Sequence, residues 1–156
     1  MTDKKISELA SAGAIGSADL IELVQSSVNV KALLSSVITQ SFIVAASDLT
    51  TAITAGTSKA YFPMPYAFTV TEVMATLLTA QASGSIFTVD INENGTSILS
   101  TKLTIDNTET SSLTASTQPV ISDASLAKGG VITIDVDQVG ASGALGLIVT
   151  VVGYKT

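Results

Sequence analysis

The run Val131-Ile-Thr-Ile-Asp-Val-Asp limits the fold most, because apolar and polar side chains alternate in it with a period of two. In an extended strand this period puts Ile132, Ile134 and Val136 on one face and Thr133, Asp135 and Asp137 on the other, so one side is buried and the other wet. A helix would scatter the same residues around its circumference. From Phe42 onward the chain repeats this texture in short runs broken at Gly, Asn, Asp and Ser clusters. About eight strands are predicted, over 42–46, 58–62, 68–79, 86–92, 96–103, 120–121, 131–137 and 145–154. Short strands at such spacing favour an antiparallel β-sandwich. Residues 145–154 are apolar at nearly every position, which fits a central strand or one whose outer face meets another subunit.

Residues 61–66, Tyr-Phe-Pro-Met-Pro-Tyr, cannot be the middle of a central strand, since each proline lacks a ladder donor and restricts the residue before it. They are expected at an edge or in a crossing loop. They are also the densest aromatic patch, so Tyr61, Phe62 and Tyr66, with Tyr154 further along, form a candidate contact patch. Packing at the rim of the sandwich is the alternative.

Composition excludes several functions. The 156 residues suit one core of ordinary size with a modest extension. Charged residues are only 13 % of the chain, about half the usual share, and 41 serines and threonines cover the surface in their place. Mean hydropathy is positive at +0.53, yet no apolar run reaches the roughly 18 to 20 residues of a spanning helix. No apolar leader segment follows the Met-Thr-Asp-Lys-Lys start, so neither a membrane span nor a secretory signal is expected. The chain lacks cysteine, histidine, tryptophan and arginine. It therefore has no disulfide, no thiolate or imidazole metal ligand, no histidine base and no bidentate phosphate reader. A net charge of −6 with scattered lysines opposes nucleic-acid binding.

Three constellations invite a chemical reading. Asp90-Ile-Asn-Glu-Asn-Gly95 matches the first half of a calcium-binding helix-loop-helix loop, but Thr101 stands where the closing bidentate acid is needed. A hairpin turn at Asn94 and Gly95 is the reading adopted. Strict alternation would put Glu72 on one face with Phe68, Val70, Met74 and Leu78, where burial could raise its pKa. A lone carboxylate without a partner carries no acid-base mechanism. Asp135 and Asp137 project together at i and i+2, within reach of a cation or a lysine on a neighbouring strand. Neither an enzyme activity, nor a cofactor, nor a metal site is expected.

Residues 1–40 have a different character, with no aromatic, no proline and short apolar blocks separated by Ala, Gly and Ser. A helix capped by Ser17 fits residues 20–24. So does a hairpin of 20–25 and 28–31 joined at Ser26 and Ser27, which is the reading adopted. Residues 32–40 are predicted as a short helix, with Leu33, Leu34, Val37 and Ile38 at helical spacing.

The order Lys5-Ile-Ser-Glu-Leu9, then Asp19-Leu-Ile-Glu-Leu-Val-Gln25, then Val28-Asn-Val-Lys31 and Leu33 resembles the opening of many tailed-phage fibre and appendage proteins, where such a segment fixes the protein to the particle. The resemblance spans about 35 residues, a small part of a chain within one-domain length. It implies attachment to other virion structural proteins through Ile6, Leu9, Asp19, Leu20, Ile21, Val24 and Leu33. The remainder, especially 66–71, 80–92, 97–105 and 134–140, is similar to a β domain that recurs in phage structural proteins. That likeness implies a jelly-roll-like, usually trimeric module with no catalytic residues. The expectation is a virion-located homotrimeric appendage with residues 1–40 for attachment and a sandwich over 41–156. A receptor- or carbohydrate-binding module, with a host-surface glycan as ligand, is the alternative.

Overall fold

The computed structural model describes residues 20–25, 28–33, 38–141 and 143–156, and the chain divides into two compact units, 1–38 and 39–156. In the first unit, strands β1 (Leu20–Gln25) and β2 (Val28–Leu33) form an antiparallel hairpin, with Gln25 opposite Val28 and Leu20 opposite Leu33. The helix expected over 32–40 is corrected at its two ends. Ala32 and Leu33 extend the hairpin ladder opposite Ile21 and Leu20, and Gln40 opens the next strand. Backbone pairing outweighs side-chain spacing there, and residues 34–37 lie outside the described residues.

The second unit is a β-sandwich. Its strands are β3 (Gln40–Ala45), β4 (Gly56–Pro63), β5 (Phe68–Thr76), β6 (Phe87–Glu93), β7 (Thr96–Ser97), β8 (Leu99–Thr101), β9 (Leu103–Ile105), β10 (Val120–Ile121), β11 (Ser125–Leu126), β12 (Val131–Gln138) and β13 (Ile148–Lys155). One sheet has the order β11-β5-β13-β3. The other runs β4-β12-β6-β7, with β9 also pairing β6. All pairings are antiparallel. If β3, β4, β5, β6, β9, β11, β12 and β13 are lettered in chain order from B to I, the sheets read G-D-I-B and C-H-E-F, which is the strand order of a jelly roll.

The alternation in β12 does what its sequence requires. Ile132, Ile134 and Val136 are buried. They meet the inward residues of the facing sheet, Val149 and Val151 of β13 and Phe68 and Val73 of β5, in a single core. Each large aliphatic side chain removed from water there contributes about 1.5 to 3 kcal/mol. β13 lies between β5 and β3, so its apolar run is a central strand, and it begins at Ile148, later than the run itself. Gly146, at φ 66°, turns the chain just before it, and Leu145 forms only an isolated bridge to Thr79.

Two other expectations change. The run 96–103 splits into β7, β8 and the start of β9, because β7 and β9 pair opposite ends of β6 while β8 leaves to pair β10. The predicted strand 68–79 ends at Thr76 and is bulged. Val152 pairs with Glu72 but Gly153 pairs with Val70, so Thr71 is an extra residue. This shift turns Glu72 outward to solvent and Val73 inward to the core. Glu72 therefore does not share a face with Phe68 and Val70.

Candidate functional site

Of the proposed attachment residues, Leu20, Ile21 and Val24 lie in β1 and Leu33 in β2. Leu20 and Leu33 face each other in the ladder, and Leu20 is exposed. Ile6, Leu9 and Asp19 lie outside the described residues.

The aromatic patch divides. As its prolines require, β4 is the edge strand of its sheet. Phe62 turns inward from it and stacks on Phe42 of β3, with ring centroids 5.7 Å apart, so the two sheets close against each other at this rim. Phe42 also touches Tyr66 at 6.0 Å and Phe68 at 5.1 Å. These are the offset and edge-on geometries that aromatic quadrupoles favour. The Tyr66 hydroxyl donates to Gln40 Oε1 at 2.8 Å, and Lys155 Nζ lies 5.5 Å from its ring centre. Phe62 and Tyr66 are thus rim packing. Tyr61 alternates outward and is 73 % exposed. Tyr154 is on the outward side of the other sheet, opposite Thr69. The structure does not gather the four residues into one surface.

A polar network occupies the outer face of the second sheet. Register puts Asp90 of β6 directly opposite Asp135 of β12. Lys102, between β8 and β9, reaches across to Asp90 Oδ2 at 2.9 Å and Asp137 Oδ2 at 2.5 Å. Asp90 is buried and also accepts from its neighbour's amide, Ile91 N, at 2.8 Å and from Ser97 Oγ at 2.6 Å. Asp135 accepts from Asn92 Nδ2 at 3.1 Å and from Ser58 N at 2.7 Å, and the second bond holds Ser58 in a left-handed conformation at φ 51°. The calcium-like segment is accounted for by these contacts and by a hairpin. Asn94 and Gly95 have φ of 50° and 83°, as a tight primed turn requires, and Asn94 Oδ1 accepts from Val131 N at 3.0 Å. Among the described residues, no three carboxylates come together in a way that could share a metal ion.

The two carboxylates hold Lys102 in its charged form, Asp137 by the stronger hydrogen bond and Asp90 next, and push its pKa up to about 12. A raised lysine pKa means that its stabilisation is complete below the ordinary value near 10.5 and is lost as pH rises through about 12. Lys102→Met would leave buried Asp90 without its counter-charge. Losing one partner of a fully buried pair costs about 3 to 5 kcal/mol, and since Lys102 is partly exposed we expect a smaller loss, about 2 kcal/mol, at pH 7. Urea midpoints of the two proteins should converge between pH 10.5 and 12, as the unaltered protein loses the same interaction. Parallel curves over that range would exclude this role for Lys102.

A shallow groove of about 400 Å³ lies beside the bulge of β5, lined by Thr71, Glu72, Leu113, Pro119, Val120 and Ile121 among others. Sequence reasoning missed it, because its walls come from segments about forty to fifty residues apart that only the folding of β10 and the residues before it alongside β5 brings together. Its single carboxylate has no acid or base facing it across the groove, so it offers a surface for contact and no proton relay. Comparison of the chain with family models, curated proteins and solved structures finds no match.

Proposed function

We propose that the protein is a structural component of a tailed-phage virion, a homotrimeric appendage of the short-fibre, tail, neck or capsid-decoration kind, attached through its N-terminal segment. The observation that carries this reading is the division of the chain. The segment that resembles a phage attachment sequence belongs to a unit of its own, built on the β1–β2 hairpin, and a jelly-roll sandwich follows it. The use of Asp90, Asp135 and Asp137 in internal contacts agrees with a structural role. Tyr61, exposed on the edge strand β4, favours the second reading, a glycan-binding module, because sugars stack on such rings. Glycan-array binding abolished by Tyr61→Ala would establish that reading.

Gold-labelled antibody against the sandwich should decorate purified particles of the phage that encodes the chain, at one type of position. Absence from the particle would overturn the proposal. Removing residues 1–38 should leave a folded domain that no longer incorporates, since a compact unit with its own core can fold alone. A truncated protein that incorporates normally would place attachment in the sandwich.

A further inference from the structure

The outward side of the first sheet is open and nearly uncharged, with exposed aliphatic side chains among threonines and a serine. Ile43 of β3 is 70 % exposed and lies beside Thr150, with half-buried Met74 on the far side of that threonine; Ile148 of β13, 36 % exposed, lies between Ala45 and Thr76, and half-buried Val152 between Ser41 and Glu72. Leu49 and Leu78, 59 % and 60 % exposed, flank Gly146 and extend the patch past the strand ends. Several exposed aliphatic side chains gathered on one weakly charged face mark an interface.

The charge distribution decides what covers it. The outward positions of β3, β13 and β5 include one carboxylate, Glu72, whereas the outer side of the second sheet concentrates Asp90, Asp135 and Asp137 around a single lysine. Two copies of a chain with net charge −6 repel through the second sheet and can approach through the first. The sheet edges agree. β4 carries Lys59 and Pro63 and a register shift, while β7 and β11 are two residues long. These are the features that block edge pairing. β3, six residues with neither charge nor proline, has none of them.

We infer that a second copy of this chain covers the outer face of β3–β13–β5, with the edge of β3 inside the contact. The inference rests on the oligomeric part of the proposed function and adds the surface. Light scattering on the full chain at micromolar concentration should give about three times the 15.8 kDa protomer mass. Ile43→Lys should reduce it to the protomer mass with the sandwich still folded, because the altered side chain points away from the core. Tyr61→Lys, on the outer face of the other sheet, should leave the mass unchanged. An Ile43→Lys protein of unchanged mass overturns the choice of surface and leaves the oligomer standing. A monomeric unaltered protein overturns the oligomer itself. Should Ile43→Lys fail to fold, hydrogen exchange of the unaltered protein reads the same contact. Protection of β3 amides should rise with protein concentration, and protection independent of concentration overturns the inference.

Discussion

Gly153→Ala should unfold the sandwich or come close to it, with a loss of about 5 kcal/mol, beyond the usual 1 to 3 for an overpacked core. Gly153 is buried toward the C-terminal end of the central strand, opposite Val70 at the bulge. A Cβ there would collide with the carbonyl oxygen of Thr69 and lie 2.7 Å from Cε1 of Phe68. The nearer atom, the carbonyl oxygen, is backbone of a paired strand, so no rotamer change can relieve the clash. β5 would have to separate from β13 along the ladder that carries Phe68 and Val70 into the core. Gly95→Ala is the control. Gly95 has φ 83° but nothing within 4 Å of where an alanine methyl would sit, so only the left-handed backbone is penalised, by about 1 kcal/mol. Urea unfolding that shows similar midpoints for the two variants would mean that the sheets separate more easily than their packing implies.

The bulge that makes Gly153 necessary also shows where sequence reading stops. β12 is legible because its two faces differ in a strict period from Val131 to Asp137, and the apolar run of β13 fits a central strand or one covered by another subunit, of which the sheet order shows the first. The proline-bound patch at 61–66 is correctly confined to an edge by the chemistry of proline alone. Alternation carried through Thr71 misplaces Glu72, because an extra residue in one strand is defined only by its partner, here some eighty positions away. Gly153 itself is the available signal, since glycine inside a strand marks a bulge or a close backbone approach. The splitting of 96–103 is hidden for a related reason. Lys102 leaves the ladder to reach Asp90 and Asp137, and only the aspartate pair on β12 suggests a lysine partner from its spacing. The hairpin of residues 20–33 is readable from two apolar runs around a serine pair, while the helix expected after it starts too early, because spacing of three and four does not exclude the strand that Ala32 and Leu33 continue. The groove beside β5 and the outward apolar face depend on which strands become neighbours, which no local pattern encodes.

Gln81 carries no sequence signal beyond that of a polar loop, yet its replacement should have the second large effect. Its side chain is completely buried. The amide donates to Ser85 O at 2.6 Å and to Asn107 Oδ1 at 2.7 Å, and its Oε1 accepts from Gly140 N at 2.7 Å. Three segments distant in sequence are thus joined by one side chain: the turn after β5, the loop after β9 and the loop after β12. Gln81→Leu keeps the approximate volume and removes every bond, depriving the Gly140 N–H, the Ser85 carbonyl and the Asn107 Oδ1 of this partner, groups that lie on half-buried or exposed residues. An orphaned buried group costs about 1 to 3 kcal/mol, and water can reach part of this set, so the expected loss for the three together is about 3 kcal/mol. Gln81→Glu separates lost bonds from lost shape. Its carboxylate still accepts from Gly140 N but faces two further oxygens in place of donating to them, so at pH 7 it should be less stable than Gln81→Leu. Protonation restores one donor, which raises the pKa of that carboxyl in the folded state above its unfolded value. Its stability deficit should therefore shrink as pH falls and grow as pH rises through the raised value. Urea midpoints measured from pH 4 to 7 check this directly: a Gln81→Glu curve parallel to that of Gln81→Leu would show that the three loops are held by packing and not by the amide.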